Sequence, residues 1–136
     1  VLLGDGELGE GQVWEAAMFA AAKQVDNVIA TIDANGQQID GSTKQVLDGG
    51  DLAAKWSAFG WEVLTMDGNN IPDIMKTMEA AKNASGKGKP VVIIMQTEMG
   101  NGVDFMMHSH KWHGIAPNDE QLAIALNQNP ETLGDY

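Results

Sequence analysis

The sequence predicts an α/β fold, a mostly parallel sheet flanked by helices. Three observations predict it. Short apolar runs alternate with stretches of helical periodicity, an order that feeds parallel strands through helical crossovers. The first two runs end in tight polar turns, Gly4-Asp5-Gly6 and Asp33-Ala34-Asn35-Gly36, as expected where a strand gives way to a loop. The last run, residues 90–96, is the most hydrophobic segment of the chain and reads as a strand buried on both faces.

In chain order, residues 1–3 are short and apolar, like a buried strand, and the loop over 4–11 carries four glycines. A helix over 12–25 follows. Val13, Trp14, Ala17, Met18, Ala21 and Val25 recur at helical spacing and form its apolar stripe. Residues 28–32 give the second strand, which implies a right-handed crossover. Residues 36–50 are polar, glycine-bearing and without a period; they read as a long functional loop over the strand tips. A short helix over 51–59 presents Leu52, Trp56 and Phe59 on one face, and residues 61–65 give a third strand. Asn70 caps the next helix, with Pro72 in its first turn and Asp73 complementing its dipole. Ile74, Met75, Met78 and Ala81 are its inward face. A turn over 84–89 leads to the last strand. Residues 97–117 are irregular and hold all three histidines. A final helix starts after Asn118, with Gln121 placed for a capping box and Leu122, Ala125 and Leu126 on its apolar side. We expect one domain over 1–126 and a polar, frayed tail over 127–136.

The 136 residues suit one domain, and a hydrophobic fraction of 43% is globular. The absence of cysteine excludes disulfides, thiolate zinc sites and a cysteine nucleophile, and fits a cytoplasmic setting. No apolar run approaches the ~20 residues that span a bilayer, and no secretory signal is recognisable. The formal net charge is −11, and all eight basic residues are lysines. That charge weighs against nucleic acid and against anionic membranes as partners. A phosphate ester bound here must be neutralised by a metal and backbone N–H groups, because there is no guanidinium fork. The chain lacks an initiator Met and begins inside an apolar strand, so we expect a portion of a longer polypeptide.

If the first two runs are parallel neighbours, Asp5 and Asn35 come side by side at their carboxyl ends, where open α/β sheets bind ligands. One carboxylate, one amide oxygen and a main-chain carbonyl suit Mg²⁺ or Ca²⁺, with diphosphate oxygens filling the other positions. Gly4, Gly6, Gly9 and Gly11 offer backbone N–H groups just before a helix N-terminus, an anion site by geometry and dipole. Blander readings stand beside these: Asp5 as a turn former, Asn35-Gly36 as an ordinary turn, the glycines as a flexible connection. The segment fits neither G-x-G-x-x-G nor G-x-x-x-x-G-K-[ST], which disfavours a dinucleotide fold or a P-loop nucleotidase. A Mg²⁺-dependent phosphatase with Asp5 as nucleophile would need a placed lysine, and none is obvious. His108, His110 and His113 are close enough in sequence to suggest zinc, but no other soft ligand accompanies them; exposed loop positions are the default for His108 and His110.

GDGELGEGQVWEAA followed by IDANGQQIDG resembles the thiamine-diphosphate motif of transketolases, and more closely the separately encoded N-terminal subunit of split transketolases. The segment TEMGNGVDFM…KWHGIAPND resembles a later loop of the same family. The resemblance covers nearly the whole chain. The Asp40-Gly41 pair after Ile39 and the WHG–AP run favour transketolase over pyruvate dehydrogenase or deoxyxylulose-phosphate synthase.

The resemblance implies the diphosphate-binding domain of a thiamine-diphosphate fold, lacking its N-terminal segments. It implies that Asp5, the Asn35 side chain and the Gln37 carbonyl hold Mg²⁺, for which Ca²⁺ can substitute. Gly4, the Gly6 N–H and Asn35 would attend the diphosphate, and Ile39 would pack on the thiazolium ring. Glu10 and Glu15 match acidic positions at a dimer interface that link two active sites. His113 matches a histidine near the diphosphate end and the substrate, a candidate for proton transfer. The blander readings are core for Ile39 and a solvated helix start for Glu10 and Glu15. Glu98-Met99 stands where related subunits carry a basic residue. The implied activity is transfer of a two-carbon ketol unit between sugar phosphates, as in the pentose phosphate pathway. The implied partner is a pyrimidine-binding domain or C-terminal transketolase subunit that supplies the activating glutamate, in a dimer or heterotetramer. This chain alone would then be inactive. The alternatives are a non-catalytic α/β assembly subunit and another thiamine-diphosphate enzyme.

Overall fold

The computed structural model describes residues 1–129; the part of the expected tail over 130–136 lies outside the described residues. In chain order the elements are β1 (Leu2–Gly4), α1 (Gly11–Ala22), β2 (Ile29–Ala34), β3 (Gln37–Gln38), β4 (Gly41–Ser42), α2 (Thr43–Leu47), α3 (Leu52–Ala58), β5 (Glu62–Asp67), α4 (Ile71–Ala84), β6 (Val91–Gln96) and α5 (Asp119–Gln128). Single 3₁₀ turns lie at Gly6–Gly9 and His110–His113. The main sheet has the order β1-β2-β6-β5, every pair parallel, as the alternation of runs and helices requires.

β6 is the spine of the fold because it is covered on both faces. Val92 and Ile94 join Ala30, Ile32, Trp56, Trp61 and Ala17 on one side, while Val91 and Ile93 join Met66 and Ala81 on the other. The two-residue period of a strand divides a continuous apolar run between two cores. Burying an aliphatic side chain of this size contributes about 1.5–3 kcal/mol. On the first face Trp56 meets Trp61 edge-on at 4.8 Å and Trp14 at 5.4 Å. The Trp61 indole N–H donates to the Ala17 carbonyl at 2.9 Å, which fixes α1 against the chain entering β5. α4 closes the second face.

The predicted elements are all present, with corrections that have local causes. α1 ends at Ala22 rather than Val25. Gln24 takes a left-handed conformation (φ 52°), its N–H donates to Ala21, and the Val25 N–H donates to Ala20. That is a Schellman stop with glutamine in the position glycine usually fills, so no glycine marks it in the sequence. Residues 36–50 are not a plain loop: they contain the two-residue hairpin β3–β4 and helix α2, whose N-cap Ser42 accepts from the Gln45 N–H. Val46 and Leu47 of α2 are exposed, so this helix carries no apolar stripe to read. In α4, Met75 points outward and Thr77 is buried instead. Met18 of α1 is likewise exposed. The capping box of α5 forms as expected between Asn118 and Gln121, but Leu122 and Leu126 face outward. Asn127 and Gln128 belong to α5 rather than to a tail, and the Gln128 side chain donates to Asp104 at 2.8 Å. Among the described residues no helix is long and apolar enough to cross a membrane.

Candidate functional site

The β1–β2 register sets Gly4 opposite Asp33, and the Asp5 N–H donates to the Asp33 carbonyl at 3.1 Å. Asp5 therefore leaves the sheet beside the turn that ends β2. One carboxylate oxygen accepts the Gly36 N–H at 2.7 Å; the other accepts the Gly6 N–H at 2.8 Å. Asn35 folds its amide oxygen onto the Gln37 N–H at 2.8 Å. Gly36 sits between them at φ 73°, a conformation that suits glycine. Asp5 and Asn35 are thus clamped around one residue, as the sequence predicted for neighbouring strand tips.

The hairpin β3–β4 then folds back over the first turn. A Cβ on Gly6 would come within 2.9 Å of the Gln38 Cβ, so only glycine fits beneath Gln38. Gly4, Asp5, Gly6, Asn35 and Gln37 line one side of the resulting cleft of about 400 Å³. Ile39, at the hairpin tip, and His113, at the end of the second 3₁₀ turn, also line it, with Glu7, Asp33, Gln38 and Asp40. Ile39 is 74% exposed and is not core. Glu10 and Glu15 lie on the surface at and near the start of α1, outside the cleft lining. Glu10 makes no side-chain cap and instead accepts from the Gln12 amide at 3.3 Å.

The open glycine cradle expected over residues 4–11 takes a different form. The Gly4 N–H donates to Glu7 at 3.1 Å, and the Gly6 N–H is held by Asp5. Carboxylates of the same loop occupy these donors because Glu7 and Asp5 lie within one turn of them.

Burial is the main cause that raises the Asp5 carboxyl above its usual value, and the nearby Asp33 charge adds to it, while the Gly36 and Gly6 N–H bonds oppose. No lysine lines this cleft among the described residues. Each Asp5 oxygen has accepted one bond and retains a lone pair, as does the Asn35 oxygen. A half-buried carboxylate beside a second carboxylate and an amide oxygen is a hard-donor set that fits Mg²⁺ or Ca²⁺. The three histidines do not converge. His108 is exposed and its Nδ1 lies 2.9 Å from a Glu98 carboxylate oxygen. Among the described residues no three His, Cys, Asp or Glu side chains gather as a metal site.

Several residues that line the site were not foreseen, Glu7, Gln38 and Asp40 of the first cleft among them. A second polar cleft of about 450 Å³ is lined by Asp33, Asn69 and Thr97 together with Glu98 and Trp112. It shares Asp33, Asn35 and His113 with the first, so a continuous groove runs over the carboxyl ends of the strands. Asp33 had a signal: it stands two positions before Asn35 in an otherwise apolar run, hence on the same side of the chain. Asn69 and Thr97 had none, since only the pairing of β5 with β6 brings them together.

The family described as transketolase, thiamine diphosphate binding domain, matches residues 1–130. The chain is similar to an apulose-4-phosphate transketolase subunit of Phocaeicola vulgatus, with 39% identity over 133 residues, 98% of this chain and 47% of that protein. It is also similar to the 6-deoxy-6-sulfo-D-fructose transketolase subunit SqwG of Clostridium sp., with 41% identity over 92% of this chain and 45% of that protein. The chain thus spans about half the length of the curated relatives it matches. Among solved structures, transketolase from Campylobacter jejuni superposes with a TM-score of 0.84 at 33% identity, covering 93% of this chain and 20% of that one. Transketolase from Pichia stipitis, in complex with sedoheptulose-7-phosphate, gives 0.85 at 29% identity, covering 94% and 19%.

Proposed function

The chain belongs to the transketolase family, as a thiamine diphosphate binding domain, and from that premise we propose that it holds the diphosphate end of thiamine diphosphate through Mg²⁺ as one part of a ketol-transferring enzyme. The observation that carries the proposal is the clamp of Asp5 and Asn35 around Gly36 in a cleft that His113 also lines.

In this reading Asp5, the Asn35 amide oxygen and the Gln37 carbonyl hold the ion, with Ca²⁺ able to replace it. The Gly6 turn and Asn35 face the diphosphate, and Ile39 offers an apolar surface to the thiazolium ring. The cofactor, when bound, supplies the carbanion chemistry that a polypeptide lacks. The chain supplies binding, orientation and a place for a proton. His113, exposed at the mouth, is the side chain placed to give or take one. Glu10 and Glu15 face a partner copy. The reaction class is movement of a two-carbon ketol unit between sugar phosphates, as in carbohydrate metabolism of the pentose phosphate type. The partner is a pyrimidine-binding domain or C-terminal transketolase subunit, in a dimer or heterotetramer. That partner carries the glutamate that activates the cofactor. The isolated chain is then inactive, and turnover by it without a partner refutes this point. The cysteine-free composition fits the cytoplasm.

Calorimetry with thiamine diphosphate and Mg²⁺ tests the reading directly. The expected result is metal-dependent binding by the chain that is lost in both Asp5→Ala and Asn35→Ala. Equal binding by all three proteins, or none by any, overturns it and leaves a non-catalytic α/β assembly subunit.

A further inference from the structure

Asp33 is a carboxylate at the end of a strand whose other side chains are mostly apolar, and the roles assigned above do not use it. It lines both clefts of the groove. Its carbonyl accepts the Asp5 N–H, and its charge is felt at Asp5. Its own carboxylate accepts a hydrogen bond from the Thr97 hydroxyl, across from β2 to the end of β6.

Thr97 is itself held in place. It packs so closely on Gly68 that a Cβ there would overlap the Thr97 methyl group, and it would stand 3.1 Å from the Met95 Cβ. The Gly68 N–H donates to the Gln96 carbonyl at 2.7 Å, which pins the two segments together at this point. Gly68 follows β5, Thr97 follows β6, Asp33 lies at the end of β2 and Asp5 follows β1. The contacts therefore cross all four strands of the sheet in spatial order; the last of them, from Asp33 to the predicted cation ligand Asp5, runs through the main chain.

We propose that Asp33, its carboxylate oriented by Thr97, is a positioning residue that sets the negative charge beside the Asp5 cation site. The inference rests on the Mg²⁺ reading of Asp5 and Asn35. Its physical basis is general. Groups behind a metal's direct ligands fix ligand orientation and local charge, and their loss typically costs about 10–100-fold in metal affinity. A threonine hydroxyl can hold one carboxylate rotamer because it donates a single directed bond, and here the packing against Gly68 leaves the threonine little freedom to turn away.

The test is Mg²⁺ titration of the full chain in the presence of thiamine diphosphate, read by calorimetry, with melting temperature in metal-free buffer measured in parallel. Asp33→Asn keeps the size of the side chain and removes its charge; it is expected to weaken Mg²⁺ binding about 10–100-fold. Thr97→Val removes only the donor and is expected to weaken binding in the same direction by less. Thr97→Ser restores the hydroxyl and is expected to recover affinity to within a few-fold of the parent. A purely structural role predicts instead that metal-free melting falls in Asp33→Asn and Thr97→Val while Mg²⁺ affinity of the folded fraction stays at the parent value; that result overturns the proposal. So does a Thr97→Ser variant no better than Thr97→Val. If the parent chain shows no Mg²⁺-dependent binding, or Asp5→Ala binds like the parent, the failure belongs to the cation reading itself. Lost binding in Asp5→Ala with parent-like affinity in Asp33→Asn sinks only the role of Asp33.

Discussion

The segments that leave the sheet after β1 and after β6 both reach the groove, but they are held in different ways. After β1 the chain is closed within one turn by its own neighbours: Glu7 on the Gly4 N–H, Asp5 on the Gly6 N–H, and main-chain bonds from Leu8 to Asp5 and from Glu10 to Glu7. After β6 the chain runs on to Asn118 and is held by pairs farther apart in sequence. Glu98 accepts the His108 N–H at 2.6 Å and faces its ring; Asp104 binds Gln128; the Trp112 indole donates to the Phe105 carbonyl at 2.9 Å. The first segment is closed largely by local bonds, with Asp5 also tied to the Gly36 N–H, and places the carboxylate proposed to bind the ion. The second is specified by tertiary contacts and places His113. The proposed metal donor sits on the short turn, while the histidine sits on the longer segment, whose shape depends on the rest of the fold.

The contrast can be broken most forcefully at Asp5. Asp5→Ala removes the proposed oxygen ligand and two bonds from main-chain N–H groups at once, and calorimetry should show metal-dependent cofactor binding falling about 100-fold or more, whereas His113→Ala should leave that binding within about tenfold, since a lost histidine contact is worth roughly 1 kcal/mol. Equal losses would mean that both segments serve the ion alike. Next in size is Gly6→Ala. The added Cβ meets Gln38 at 2.9 Å, and overpacking of this kind costs about 1–3 kcal/mol. Urea denaturation should register that loss, and adding Gln38→Gly should recover part of it; no recovery would show that the hairpin does not clamp this turn. On the second segment, Trp112→Phe keeps the edge contact with Phe105 but removes the indole donor. A loss of about 0.5–1.5 kcal/mol is expected. Amide exchange should localise it to residues 97–117 and leave the Gly4–Gly11 turn protected. The smallest effect should come from Glu98→Gln. Its amide oxygen can still accept the His108 N–H, and the contact with an exposed imidazole ring is worth less than about 1 kcal/mol. A melting-temperature drop larger than that of Trp112→Phe would reverse the ranking.

The same contrast explains what the sequence disclosed. The turn after β1 and the Asn35-Gly36 turn are written in glycine, aspartate and asparagine at adjacent positions, so the meeting of Asp5 with Asn35 followed once two apolar runs were read as neighbours. The Asn70 and Asn118 caps were legible for the same reason: each side chain bonds its own helix. The stop at Gln24 was not, because glutamine there takes the conformation that glycine usually signals. α2 was not, because its apolar residues face outward. Asn69 and Thr97 were invisible because strand order decides their place in the groove, and local residue patterns do not say which strand pairs with which. The half of the groove around Asp5 was thus local and readable; the half around Thr97 was topological.

β1 has consequences for anyone handling this chain. Among the described residues it is an edge strand paired only with β2, and both Val1 and Leu2 are exposed beside an apolar groove walled by Val13, Ala16 and Ala20 of α1. Unpaired main-chain groups next to uncovered aliphatic surface are a template for strand addition, so in samples of this 136-residue chain a concentration series in each binding experiment separates self-association from ligand binding.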